Sequence, residues 1–173
     1  VADSGSGAVF VLVRALTYAT LFIGFVLVFL PARLLSSSGV TAPPVIGVAQ
    51  AIGMLAAAAG AALALWCILA FARLGQGTPA PFDPPRRLVL RGPYRFVRNP
   101  MYLGAAAALA GAALFYGSSA LAAYAAAFLF VMHAFVVLYE EPTLRATFGE
   151  DYDRYCRAVG RWWPRFKVGA QGA

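Results

Sequence analysis

From residue 45 to residue 71 the chain carries no charged side chain. A helix of that length, rising 1.5 Å per residue, is long enough to cross a hydrocarbon core of about 30 Å. Three further apolar runs follow the same logic, at about residues 8–30, 101–116 and 121–139. Backbone polar groups have no water to bond inside a bilayer, so each run must satisfy them internally as a helix. The expected fold class is therefore all-α: one polytopic membrane domain over residues 1–173, with about four transmembrane helices. Composition agrees, since 12% of residues are charged where a soluble domain has about a quarter. A signal peptide is the competing reading of the first run. Its apolar core would be only about 7–15 residues, followed by a small-residue cleavage site, and no such site follows cleanly.

The connections are short. "PARLLSSSGVTAPP" reads as a loop after the first span, and "GSS" at residues 117–119 as a tight turn that folds the last two spans into a hairpin. Gly53, Gly60, Gly104 and Gly111 fall inside spans, where small residues let helices approach closely. Of the fourteen Lys and Arg residues, all but Arg14 and Arg33 lie beyond residue 72, between the second and third spans or after the fourth. With an even number of spans those two segments share a side. The positive-inside rule makes it the cytoplasm, and both termini belong there. The net charge of +7 is then an attraction for anionic lipid, and no nucleic-acid partner is implied. Cys67 and Cys156 sit in neither a redox nor a metal-ligand spacing, and His133, the only histidine, has no ligand company.

The polar chemistry gathers in two places. "RGPYRFVRNPMYLG", residues 91–104, precedes the third span. Pro100 suits the first helical position and Asn99 the N-cap before it. A helix N-terminus offers unpaired N–H groups to an anion. Arg95 and Arg98 add charge, Tyr94 and Tyr102 add ring faces and hydroxyls, and Gly104 leaves room for close approach. An ordinary positive-inside loop with a helix cap would read the same way. The second place is Glu140 and Glu141, followed by Pro142, at the expected end of the fourth span. Adjacent acids at a helix C-terminus oppose its dipole, which suggests a cationic or hydroxyl-rich partner. Two acids neutralised by the basic loop are the alternative. His133 precedes Glu140 by seven residues, so in a regular helix they share a face. It is either a proton acceptor or, more ordinarily, a helix–helix hydrogen bond. Asp83 in "PFDPPRRL" reads as a turn former.

Together these segments resemble the membrane methyltransferase family that includes isoprenylcysteine carboxyl methyltransferases and bacterial phospholipid-type methyltransferases. The family pattern is "GPY-R-x-x-R-H-P-x-Y-x-G", then a Glu-Glu pair after the next helix, a "FG-x-x-Y-x-x-Y" segment and a "V-P-R" tail. This chain reads "GPYRFVRNPMYLG" and then "YEEPTLRATFGEDYDRYCRAVGRWWPRF". The resemblance spans roughly residues 75–166. It implies a site for S-adenosylmethionine, with S-adenosylhomocysteine as product, built from about residues 90–104 and 139–166. Arg98, Asn99, Pro100, Tyr102, Leu103 and Gly104 would form one wall, flanked by Tyr94 and Arg95. Glu140 and Glu141 would form the other, at the ribose or amino end. Phe148, Tyr152, Tyr155 and Trp162 would cover the adenine. Arg98, Glu140, Glu141 and His133 are the catalytic candidates.

This chain departs from the pattern in three ways. Asn99 replaces the family His, and Asn is no base near neutral pH. Gly160 replaces the tail Pro, which should loosen that turn. Val136, Val137, Leu138 and Tyr139 stand where the isoprenylcysteine enzymes carry Arg. Without a strong base, an acceptor that is already nucleophilic is favoured: a thiolate, amine or carboxylate. The expected partners are membrane lipids and a lipophilic acceptor (lipid, isoprenoid thiol or carboxylate, or amine headgroup). The acceptor would enter sideways past Ala70, Ala72, Gly75 and Ala134, with Arg86, Arg87 and Arg91 near its headgroup. The implied location is a bacterial inner membrane. The rival readings are an NADPH-dependent membrane reductase of related fold, a small transport protein and a structural membrane protein.

Overall fold

The computed structural model describes residue 17 and residues 23–74, 88 and 90–165. Among these there are helices and one isolated backbone bridge, and no strand. A π-helical stretch, Ile23–Phe29, runs into helix α1, Leu30–Ser37. Helix α2 is Val48–Leu74, α3 is Pro100–Tyr116 and α4 is Ser119–Phe135. A π turn, Val136–Glu140, then leads without a break into α5, Glu141–Phe148, and α6 is Glu150–Ala158.

Two sequence-based boundaries move. The first helix does not stop near Leu30. It continues through "LPARLLSS" to Ser37: Phe29 keeps helical dihedrals (φ −64°, ψ −52°), and Pro31 stands just past the π-helical stretch, an irregular junction of the kind where a missing N–H is accommodated. The earlier part of that expected span, residues 8–22, lies outside the described residues except for Thr17, which is helical. The fourth helix likewise does not end at the acid pair. Two helices are long and apolar enough to cross a membrane, Val48–Ala70 and Ser119–Phe148, while Ile23–Ser37 and Pro100–Tyr116 are apolar but shorter.

The turn between α3 and α4 forms as its residues dictate. Gly117 takes the left-handed conformation (φ 61°) that ends a helix, and the Ser118 N–H donates to the Ala113 carbonyl at 3.0 Å. The Ser118 hydroxyl then accepts the Leu121 N–H at 3.2 Å, an N-cap for α4. The hairpin closes a core of Ala105, Leu109, Ala113, Leu121, Ala125 and Phe128. The first helix covers this core with Val26, Leu27 and Leu35, and the Tyr124 hydroxyl donates to the Val26 carbonyl at 2.7 Å. On the outside, Leu55, Phe130 and Leu138 remain 72%, 74% and 76% exposed, a surface suited to lipid.

Helices α2 and α3 touch backbone to backbone. A Cβ on Gly53 would stand 2.7 Å from the Gly111 carbonyl oxygen, and one on Gly104 the same distance from that of Gly60. The two pairs are seven residues apart on each helix and run in opposite directions, so the helices are antiparallel. The open space at Gly104 is thus filled by α2.

This packing predicts a contrast. Gly111→Val should lower stability by about 1–3 kcal/mol or more through overpacking, read as a lower melting temperature in detergent. Gly24→Ala, with nothing within 4 Å of the new methyl, should match or exceed the parent.

Candidate functional site

The loop before α3 is seated on the end of α2. Gly92 has φ +64°, which favours glycine, and lies against Trp66 and Ala70. It opens a single 3-10 turn, Gly92–Arg95, that buries Pro93 and Tyr94. Tyr94 packs on Cys67, with Leu63 and Met101 around them. Burial raises the Tyr94 phenol far above its ordinary value, so it stays protonated. Arg95 points away, its guanidinium 4.5 Å from the Phe96 ring centroid, and both are exposed. Pro100 begins α3 as expected. Asn99 stands at the N-cap position but makes no capping bond. Its amide instead donates to the Arg161 carbonyl at 3.3 Å.

The acid pair lies within a continuous helical path. At the π turn, the Glu141 N–H donates to Val136, five residues back. Such a turn holds one extra residue and shifts the helix phase. The dipole argument for a C-terminal acid pair therefore does not apply, and His133 and Glu140 lose their common face. The two acids point to different partners. The Tyr102 hydroxyl donates to Glu140 Oε2 at 3.1 Å. Glu141, 7% exposed, faces the tail.

The tail returns to the loop through α6, which buries Tyr152 and Tyr155 beside Val159 against Leu88, Leu144, Phe148 and Cys156. Tyr155, a phenol held protonated by burial, donates to the Tyr94 carbonyl at 2.6 Å. Val97 and Gly160 form a parallel bridge, and the Arg98 N–H donates to the Gly160 carbonyl at 2.9 Å. The turn at Gly160 is tight, contrary to expectation, because the Trp163 carbonyl occupies the space a Cβ would need. Trp162 Nε1 donates to His133 Nδ1 at 3.0 Å. His133 thus bonds the tail, rather than another span.

At the centre is a carboxylate between two guanidiniums. Arg161 Nε lies 2.6 Å from Glu141 Oε1 and Arg161 Nη2 lies 2.9 Å from Oε2. Arg98 Nη2 approaches Oε1 at 3.1 Å. Arg98 Nη1 contacts the Cys156 thiol. The side chains of Arg98 and Glu141 are each about 10% exposed, so these are charge-assisted bonds in a mostly dry setting. Arg98 Nε is buried and, among the described residues, has no hydrogen-bond partner.

The structure thus brings Tyr94, Arg98, Asn99, Pro100, Tyr102, Glu140, Glu141 and Tyr155 to one end of α3. Arg95 lies outside the cluster. Tyr152 sits in the tail core, with Arg145 5.9 Å from its ring. Gly104 is taken up by helix packing, and Leu103 immediately precedes it on α3. Asp83, Arg86, Arg87 and Gly75 lie outside the described residues. Sequence reasoning missed Arg161 and Cys156 as partners. The signal available for Arg161 was its place in the tail motif, beside Gly160.

The sequence model of the phospholipid methyltransferase family matches residues 48–151. The chain belongs to this family. The match runs from the start of α2 into the first turn of α6, taking in the loop and both acids. No curated protein and no solved structure matches the chain. Family membership and the apolar helices together make this a membrane protein.

Glu141→Ala would leave the buried Arg98 guanidinium, and the partly exposed one of Arg161, without their counter-charge. It should cost about 3–5 kcal/mol, the usual effect of breaking a buried pair from one side. The loss should be largest in the tail, seen as faster proteolysis after residue 149 than in the parent.

Proposed function

We propose that the protein is an integral membrane enzyme that transfers a methyl group from S-adenosylmethionine to a lipophilic acceptor. One observation carries the reading: buried Glu141 joins Arg98 of the loop to Arg161 of the tail, beside the Tyr102–Glu140 pair. The donor set fits the cofactor. Arg98, whose Nε–H has no partner among the described residues, and the start of α3, which has no side-chain cap, suit the cofactor's carboxylate. Glu140 suits its amino group or a ribose hydroxyl, and the ring faces of Tyr94 and Tyr102 suit the sulfonium. Bound there, S-adenosylmethionine supplies an electrophilic methyl group.

The chain's own part is to hold donor and acceptor in line and to exclude water. Asn99 offers no base, which favours an acceptor that is already nucleophilic, such as an amine or thiolate. The reading is of four spans, with Ile23–Ser37 and Pro100–Tyr116 crossing beside the two longer helices. The basic segments and both termini lie in the cytoplasm. A lipid-borne acceptor reaches the site from the bilayer, near Ala70 and Ala134.

Purified protein in detergent should bind S-adenosylhomocysteine and not NADPH in a calorimetric titration. Undetectable binding at millimolar ligand would sink the reading, and binding of NADPH alone would favour a reductase. Arg98→Ala and Glu140→Gln should each weaken binding about ten- to a hundredfold, the effect of one lost charge-assisted contact. Their helical circular dichroism should be unchanged. Reporter fusions should place the C-terminus in the cytoplasm.

A further inference from the structure

We infer that Arg161 is a positioning residue for the cofactor site, acting through Glu141 to keep Arg98 available to the ligand. The inference rests on the methyltransferase reading above. It starts from how the two arginines share one carboxylate. Arg161 takes the planar two-point fork, Nε to one Glu141 oxygen and Nη2 to the other, at 2.6 and 2.9 Å. That is the strongest geometry a guanidinium can make with a carboxylate. Arg98 is left a single contact with that carboxylate, through Nη2 at 3.1 Å, its Nη1 going to the Cys156 thiol, and among the described residues its buried Nε–H has no partner. Without Arg161, both Glu141 oxygens would lie open to Arg98. A buried donor with no partner is costly, so Arg98 would turn its own Nε and Nη2 onto Glu141. The group the ligand needs would then be consumed inside the protein.

A second contact works in the same direction. The Arg161 carbonyl accepts the Asn99 amide at 3.3 Å. That bond draws the Asn99 side chain toward the tail, and α3 begins without a side-chain cap. One residue of the tail therefore keeps two kinds of donor unspent at the same place: the Arg98 Nε–H and the first N–H groups of a seventeen-residue helix. Both suit an anionic group. The tail, docked by Tyr155 on Tyr94 and by Gly160 on Arg98, acts as a clasp that completes the site.

The test is a set of calorimetric titrations of S-adenosylhomocysteine into the full chain in detergent. Arg161→Lys keeps the charge but has no fork. It should weaken binding about tenfold, as should Arg161→Ala, the scale of one charge-assisted bond. In an Arg98→Ala background, Arg161→Ala should add less than about twofold, because its effect runs through Arg98. Arg165→Ala removes a different tail anchor, the bonds to the Cys156 and Arg157 carbonyls. It should lower the melting temperature without changing affinity, which separates positioning from mere tail stability. Parent-like binding by Arg161→Lys, or losses for Arg98→Ala and Arg161→Ala that simply multiply, would overturn the inference while leaving the methyltransferase reading intact. Absence of binding by the unmodified protein would remove both.

Discussion

A carboxylate buried to the extent of Glu141 cannot stand alone. Removing its hydration costs several kcal/mol, by about the amount that good pairing must restore. The chain restores it with arginines from two segments that are 63 residues apart in sequence, Arg98 and Arg161. Much else follows from that demand. The tail must return to the loop, so Val97 and Gly160 pair their backbones. The turn beyond must be tight, so residue 160 has no side chain. The loop must meet the tail at a fixed height, so Asn99 and Tyr155 bond backbone carbonyls across the junction.

The frame beneath that junction is set by a different force. Helices in lipid gain little from burying apolar surface against one another, because the lipid is equally apolar. Close backbone contact supplies what hydrophobicity cannot. The paired glycines of α2 and α3 lock those helices in antiparallel register. The register determines that the start of α3 lies beside Cys67 and Trp66, and with it the position of Tyr94 and the whole loop.

Between the frame and the junction lies the π turn at Val136–Glu140. One extra residue there lets neighbouring acids serve two ends. Glu140 stays with Tyr102 on α3 and Glu141 turns to the arginines. Without that extra residue, the helix beyond the turn would be rotated by about 100° about its axis, and Glu141 would face elsewhere.

The sequence by itself determined the chemistry available and most of the local structure. Long uncharged runs made helices, Pro100 began one, and Gly117 with Ser118 ended one and began the next, because these effects depend on the residues adjacent in the chain. The grouping of Tyr94, Arg98, Tyr102 and the two acids was legible from motif order, which follows from the family resemblance. Tertiary structure alone decided the rest. Apart from its place in the tail motif beside Gly160, nothing local distinguishes Arg161 from Arg157 or Arg165, since which arginine reaches Glu141 depends on the path of the whole tail. Asn99 has the chemistry of a cap, yet a carbonyl brought from 62 residues away takes its amide. Gly104 has the spacing of an open approach, yet the facing Gly60 fills it. In each case a group with several acceptable partners took the one that folding placed within reach, and reach is a property of the fold.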